Sequence, residues 1–161
     1  MSRTKVLQNF EQLAQDILES DNVQQMAVFV QHGSTTTLDH TIDVAHCALR
    51  LADLLHLRVD QRSLVRGGIL HDYFLYDWHD SKQAPDRWHG FTHPRHALRN
   101  AERDFPDLTE IERDVIAHHM FPLNPKPPHT REGWLVSAAD KICAVREFVV
   151  GYRFGHSKSR P

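Results

Sequence analysis

Thirteen of the 161 residues are histidines, more than the three Trp, three Tyr and two Cys combined. Imidazole is the commonest metal ligand and titrates near neutral pH, so the positions of these rings govern the chemistry open to the chain. The candidates form an ordered series: His40, the adjacent pair His71-Asp72, His93 with His96, the adjacent pair His118-His119, and Asp140. The intervals are 31 from His40 to His71, 21 from Asp72 to His93, 26 from His93 to His119 and 21 from His119 to Asp140. Each is about one helix plus one loop, so a helical bundle would return every member to the same end, as metal sites built on facing helices require.

The donor set is imidazole and carboxylate without a thiolate group. It suits iron, manganese, zinc or nickel and argues against a structural cysteine-type zinc site. One catalytic ion keeps a position open for water and does not need six protein ligands. Two divalent transition-metal ions sharing a carboxylate would use them all, and Asp72 is the candidate bridge and the expected catalytic carboxylate. Neighbours on a helix point about 100° apart, so one of His118 and His119 is expected to reach an ion. Spacing alone does not choose between them, nor between His93 and His96; the unused members would support the ligands from behind. Taken singly, His40 would read as a core histidine and His71-Asp72 as an ordinary helix end. Asp140 lies between Ala138, Ala139 and Ile142, where an acid is costly to bury without a cation.

Two ions about 3.5–4 Å apart can activate a water and clamp the attacking and leaving oxygens of an in-line displacement. No nucleophilic Ser or Cys is then needed, and no Gly-rich phosphate loop is evident. Charge on a phosphoryl oxygen calls for cations: Lys141 follows Asp140 directly, and Arg87, Lys82, Lys126 and Arg131 lie in connectors. His89, beside a glycine, is a candidate for lining the pocket. Asp77, His79, His96 and His118 are candidate proton donors to a leaving group.

The elements that must position these groups follow from apolar spacing. Segment 2–19 reads as an amphipathic helix and 22–31 as a second short one. Ser34-Thr35-Thr36-Thr37 supplies caps for a long helix over 37–57, and Asp60 caps the next, through Leu70 into His71-Asp72. The aromatic stretch 73–92 reads as a loop or lid in which Trp78, Trp88 and Phe91 either pack or offer rings for a base to stack on. Pro94 suits the first turn of a helix opening at His93 and ending near Pro106. Thr109 and Glu112 form a capping box, and Phe121-Pro122 closes that helix. A last helix carries Trp134 through Phe148. No strand-like alternation of useful length appears, so the expected fold is all-α: one domain over 1–150 with its ligand-bearing body at about 30–148, followed by a basic, flexible tail over 151–161.

Composition narrows the class further. Hydrophobic residues are 40% and charged residues 25%, an ordinary globular mix that excludes wholesale disorder. Lys+Arg 19 against Asp+Glu 21 gives a net charge of -2, which advertises neither nucleic-acid nor membrane binding. Cys47 and Cys143 make no disulfide framework and read as reduced thiols, consistent with a cytoplasmic location. Oligomeric state is not legible.

The order H…HD…H…H…D, centred on Gly67-Gly68-Ile69-Leu70-His71-Asp72, resembles the HD-domain superfamily of metal-dependent phosphohydrolases, an all-α bundle. The likeness covers roughly 30–148. The two further histidines resemble its two-metal subgroups, which include cyclic-dinucleotide phosphodiesterases, diadenosine tetraphosphate hydrolases and a few di-iron oxygenases. The resemblance implies that His40, His71, Asp72 and Asp140 hold one ion and Asp72, His93 and His119 the other. His93-Pro94-x-x-Ala97 and His119-Met120-Phe121-Pro122-Leu123 resemble family stretches that favour His93 over His96 and His119 over His118. The GYP signature of cyclic-di-GMP phosphodiesterases is missing from 120–130, and Leu75 stands where those enzymes carry a lysine. The implied activity is hydrolysis of a phosphoester or phosphoanhydride of a small, nucleotide-like substrate, with a di-iron oxygenase or a non-catalytic nucleotide sensor as rivals.

Overall fold

Helix ends are set by local capping. In the computed structural model, which describes residues 3–32, 35–80, 82, 84–85 and 88–157, α3 (Thr37–Leu54) begins where the Thr36 hydroxyl accepts from the Asp39 N–H at 3.1 Å. The Asp60 carboxylate does the same for Ser63 at 2.9 Å and opens α4 (Gln61–Leu70). Thr109 and Glu112 complete the expected capping box, at 3.1 and 3.0 Å, and open α6 (Glu110–His118). Each side chain satisfies an amide that has no partner within its helix.

Around these lie α1 (Arg3–Leu18), α2 (Asp21–Gln24), a 3-10 turn (Gln25–Val28), α5 (His89–Asp104) and α7 (Arg131–Ser157). α4 is central: it packs on α1, α3 and α6, while α7 closes against α3 and α6 and α5 leans on α6. Its two glycines permit this. A Cβ on Gly68 would stand 3.0 Å from the Ala45 Cα of α3, and one on Gly67 3.0 Å from the Val115 side chain of α6. Val44, Ala45, Leu64, Val65, Ile69, Val115, Ile116 and Val136 fill the core between them. Arg66, 2% exposed, crosses this layer to Glu112 at 2.9 Å and also pairs with Asp16 and Asp107, so α1, α4 and α6 share one buried cation.

The all-α expectation holds, with local corrections. Instead of one helix over 22–31, the chain leaves α2 and the 3-10 turn for strand β1 (Val30–His32), which pairs antiparallel with β2 (Thr35–Thr36). The β-branched Val30 and the threonine run favour extended backbone. α3 stops at Leu54 rather than 57, because His56 adopts φ 53 and the Leu57 N–H reaches back to the Ala52 carbonyl at 2.9 Å. That is the left-handed end a glycine usually provides. α5 starts a turn before the expected His93, at His89, leaving Pro94 inside the helix. α7 continues past 150 to Ser157, replacing most of the expected tail; 158–161 lie outside the described residues. Among the described residues, no helix is long and apolar enough to cross a membrane.

Candidate metal centre

His71 and His119 occupy equivalent places, the C-terminal caps of α4 and α6. The last carbonyls of a helix lack partners within it, and each ring offers Nδ1–H to one of them. His71 donates to the Gly68 carbonyl at 2.7 Å and His119 to the Ile116 carbonyl at 2.9 Å. His93 donates likewise to the His89 carbonyl at 2.8 Å, supplied by the extra turn of α5. His40, on α3, sets Nδ1 2.9 Å from Glu147 Oε1 on α7. Fixing Nδ1 in this way fixes the tautomer and turns Nε2 toward the volume the rings share, where it could ligate.

The Nε2 atoms face one small volume. Those of His93 and His119 are 2.9 Å apart. Asp72 Oδ1 lies 3.2 Å from His93 Nε2 and 3.6 Å from His119 Nε2, whereas Oδ2 lies 3.5 Å from His71 Nε2. Asp140 Oδ1 is 3.2 Å from His40 Nε2 and 3.9 Å from His71 Nε2. Two overlapping triads, His40/His71/Asp140 and His71/Asp72/His119, each gather one donor atom per residue within 4.8 Å. His71 is common to both triads, and Asp72 turns one oxygen toward it and the other toward His93 and His119.

The centre also fits metal ions by what it leaves undone. His71 Nε2 and Asp72 Oδ1 are buried without a hydrogen-bond partner, which is costly unless something else completes them. Burial opposes charge on both carboxylates, yet His71 and His93 hold Asp72 well below the usual carboxylate range, and His40 and His71 lower Asp140. Burial pulls His40 down, but Asp140 and Glu147 win and raise it to about 10. His93 rises too, through Asp72 and against burial. His119 goes the other way, to about 3, chiefly from burial, with its neighbours His71 and His93 lowering it further. The carboxylates therefore demand positive charge, which ring protons or bound cations can supply, and His119 presents a neutral ring ready to ligate.

A family model for the HD domain matches residues 37–145, a span that includes all six converging residues. The chain belongs to the HD domain family. No curated protein and no solved structure matches it. HD domains bind divalent metals and are largely metal-dependent hydrolases, and the His/Asp groups of this HD domain could hold such an ion.

Two contributors were missed by sequence. The Gln31 side-chain amide donates to Asp72 Oδ2 at 2.7 Å and is itself steadied by the Thr37 hydroxyl at 3.3 Å. Glu147, seven residues beyond Asp140, lies on the same face of α7. That spacing was its only available signal.

The other candidate residues lie outside the cluster or at its edge. His96 does not join the cluster; its ring meets Tyr76 edge-on at 5.8 Å. His118 turns away, with Nδ1 2.9 Å from Asp114 Oδ1, which His129 Nδ1 also approaches at 2.9 Å. Arg131 does not reach the cavity beside the centre, because it begins α7 and donates to the Arg58 carbonyl at 3.3 Å. Arg87 lies outside the described residues. Lys141 does line the cavity, but its ammonium also donates to the His119 and Ser137 carbonyls at 3.1 and 3.0 Å. His89 lines it as well, stacked on Trp78 with ring centroids 5.0 Å apart and planes 6° from parallel.

This cavity, of about 1270 Å³, opens onto Asp72, His93, His119 and Asp140. Trp78, Trp88, Phe91, Met120 and Leu123 give it a largely apolar wall. Trp88 and Phe91 meet edge-on with ring centroids 6.2 Å apart, yet stay 68% and 47% exposed.

Proposed function

We propose that this HD domain is a phosphohydrolase that holds two divalent transition-metal ions and cleaves a phosphoester or phosphoanhydride of a small, nucleotide-like substrate. The observation that carries the reading is the division of Asp72, one oxygen toward His71 and the other toward His93 and His119. In this reading His40, His71, Asp72 and Asp140 hold one ion, and Asp72, His93 and His119 hold the other. Bound there, divalent ions supply Lewis acidity, bringing the pKa of a coordinated water from 15.7 to about 7 and offsetting phosphoryl charge.

The chain's own groups do the rest. Gln31 keeps Asp72 oriented between the two halves. Backbone carbonyls hold the Nδ1 protons of His71, His93 and His119, so those rings neither rotate nor change tautomer as charge develops. Lys141 places a cation at the cavity wall beside Asp140. The exposed Trp88 and Phe91 offer flat apolar surface to a base or similar ring, since aromatic pairs stack at ring separations of about 4.5–7 Å.

The test combines elemental analysis with a panel of phosphate esters and anhydrides assayed with Mn, Fe, Zn and Ni, in air and without oxygen. Release of phosphate or nucleotide without oxygen, lost at least a hundredfold together with bound metal in His71→Ala and Asp72→Ala, is the expected result. Undiminished turnover in metal-free His71→Ala would refute the reading. Turnover only in air would replace it with oxygenation.

A further inference from the structure

The two cysteines, far apart in sequence, meet in space. Cys47 is on α3 and Cys143 on α7, two helices that pack together, and both side chains lie in or against the same apolar cluster, with Cys143 the strongest influence on the Cys47 thiol. They lie on the seam that carries His40 against Glu147 and Asp43 against Arg146. His40 meets Asp140 across the same seam. The two thiols differ in access: Cys143 is 1% exposed, whereas Cys47 is only half-buried.

They also differ in reactivity. The neighbouring Cys143 thiol outweighs burial, and Arg146 and Arg50 add positive charge, so the Cys47 thiol is brought down to about 7. The same contact and burial push Cys143 up. An accessible thiolate beside cations with a second thiol in contact is the arrangement of a redox-sensitive pair, and thiolate character and exposure set susceptibility to oxidation.

We propose that Cys47 and Cys143 form a peroxide-oxidisable pair that closes to an intramolecular disulfide between α3 and α7. The Cys47 thiolate attacks one oxygen of hydrogen peroxide; the O–O bond breaks, hydroxide leaves, and sulfur is oxidised by two electrons to the sulfenic acid. The Cys143 thiol then gives up its proton and attacks that sulfur, the S–O bond breaks, water leaves, and the S–S bond forms. The bond would tie the helix bearing His40 to the helix bearing Asp140 and Glu147. It draws on no metal and is independent of the proposed hydrolysis.

The test treats the folded protein with hydrogen peroxide and follows free thiols and intact mass. Two titratable thiols should fall to none with the loss of two hydrogens, the product remaining monomeric on a non-reducing gel and reverting with dithiothreitol. Cys143→Ala, which keeps a small apolar side chain in the buried position, should stop at a sulfenic acid on Cys47 trapped by dimedone. Cys47→Ser should keep its remaining thiol reduced at the same dose. At neutral pH the folded protein should alkylate at Cys47 in preference to Cys143, which is buried. Disulfide-linked dimers, a trapped sulfenic acid on Cys143, or thiols that persist in the folded protein at doses that oxidise the unfolded chain would each overturn the proposal.

Discussion

An imidazole is a good ligand only when something holds its far nitrogen. Three of the four rings use a backbone carbonyl within their own helix for this, but His40 uses Glu147, whose Oε2 is buried without a hydrogen-bond partner. Such carboxylate–histidine–metal arrangements typically contribute 10–100-fold to metal affinity. Glu147→Ala should therefore weaken binding by about that factor, measured by competition with a chelating dye, while far-UV circular dichroism stays unchanged. Glu147→Gln, which keeps an acceptor but loses the charge, should fall between. Unaltered affinity in both would show that Glu147 only fills space. The converging residues themselves were legible because histidine is scarce in most chains and these recur at helix-plus-loop intervals. Glu147 and Gln31 were not, since one glutamate among many and one glutamine ahead of a short strand carry no mark until the fold places them 107 and 41 positions from their partners.

Elements meet at the site because their ends are anchored. Asp114, inside α6, accepts from the Thr130 hydroxyl at 2.6 Å, from the Thr130 N–H at 2.9 Å and from the His129 N–H at 3.0 Å. It thus seats the start of α7 against α6, two helices that deliver His119 and Asp140. Burial raises this carboxyl, but the donors of Thr130 and His129 prevail and lower it to about 2. A depressed folded pKa contributes stability that is complete above the unfolded value near 3.9 and lost as pH falls through the folded one. The contribution is at most about 2 kcal/mol. Urea unfolding of the wild type and Asp114→Asn should therefore differ most above pH 5, with the gap shrinking steadily between about pH 4 and pH 2. A gap independent of pH would mean that the carboxylate charge is immaterial. Helix starts were the most readable part of the chain, since Thr36, Asp60 and Thr109 each cap as their residue types suggest. The end of α3 was hidden because a histidine, not a glycine, takes the positive φ there, and the start of α5 because its first turn forms ahead of the proline that seemed to announce it.

At the scale of the whole molecule, the question is whether the ions hold the fold or the fold holds the ions. The apolar core runs from Phe10, Ala14 and Ile17 of α1 through Leu64, Val65 and Ile69 of α4 to Val136 and Ala139 of α7. It contains none of the donor atoms, and Arg66 with its three carboxylates braces it independently of them. A chain of this length can bury a sufficient core unaided. Chelation should therefore leave far-UV helicity essentially unchanged while removing activity, in contrast to small metal-dependent domains that unfold without their ion. It should still lower Tm. An ion at a hundred times its Kd stabilises by about 2.7 kcal/mol, which corresponds to about 5–10 °C for a domain of this size. The effect should be larger than for a surface site, because withdrawal leaves buried donors such as His71 Nε2 without partners and restores the repulsion between Asp72 and Asp140 that ring protons must then relieve. Calorimetry of the stripped protein and of the protein reloaded with each metal gives the sign directly. A stripped protein that loses its helices would place the ions in the scaffold, and an unchanged Tm would mean that these six residues hold no ion.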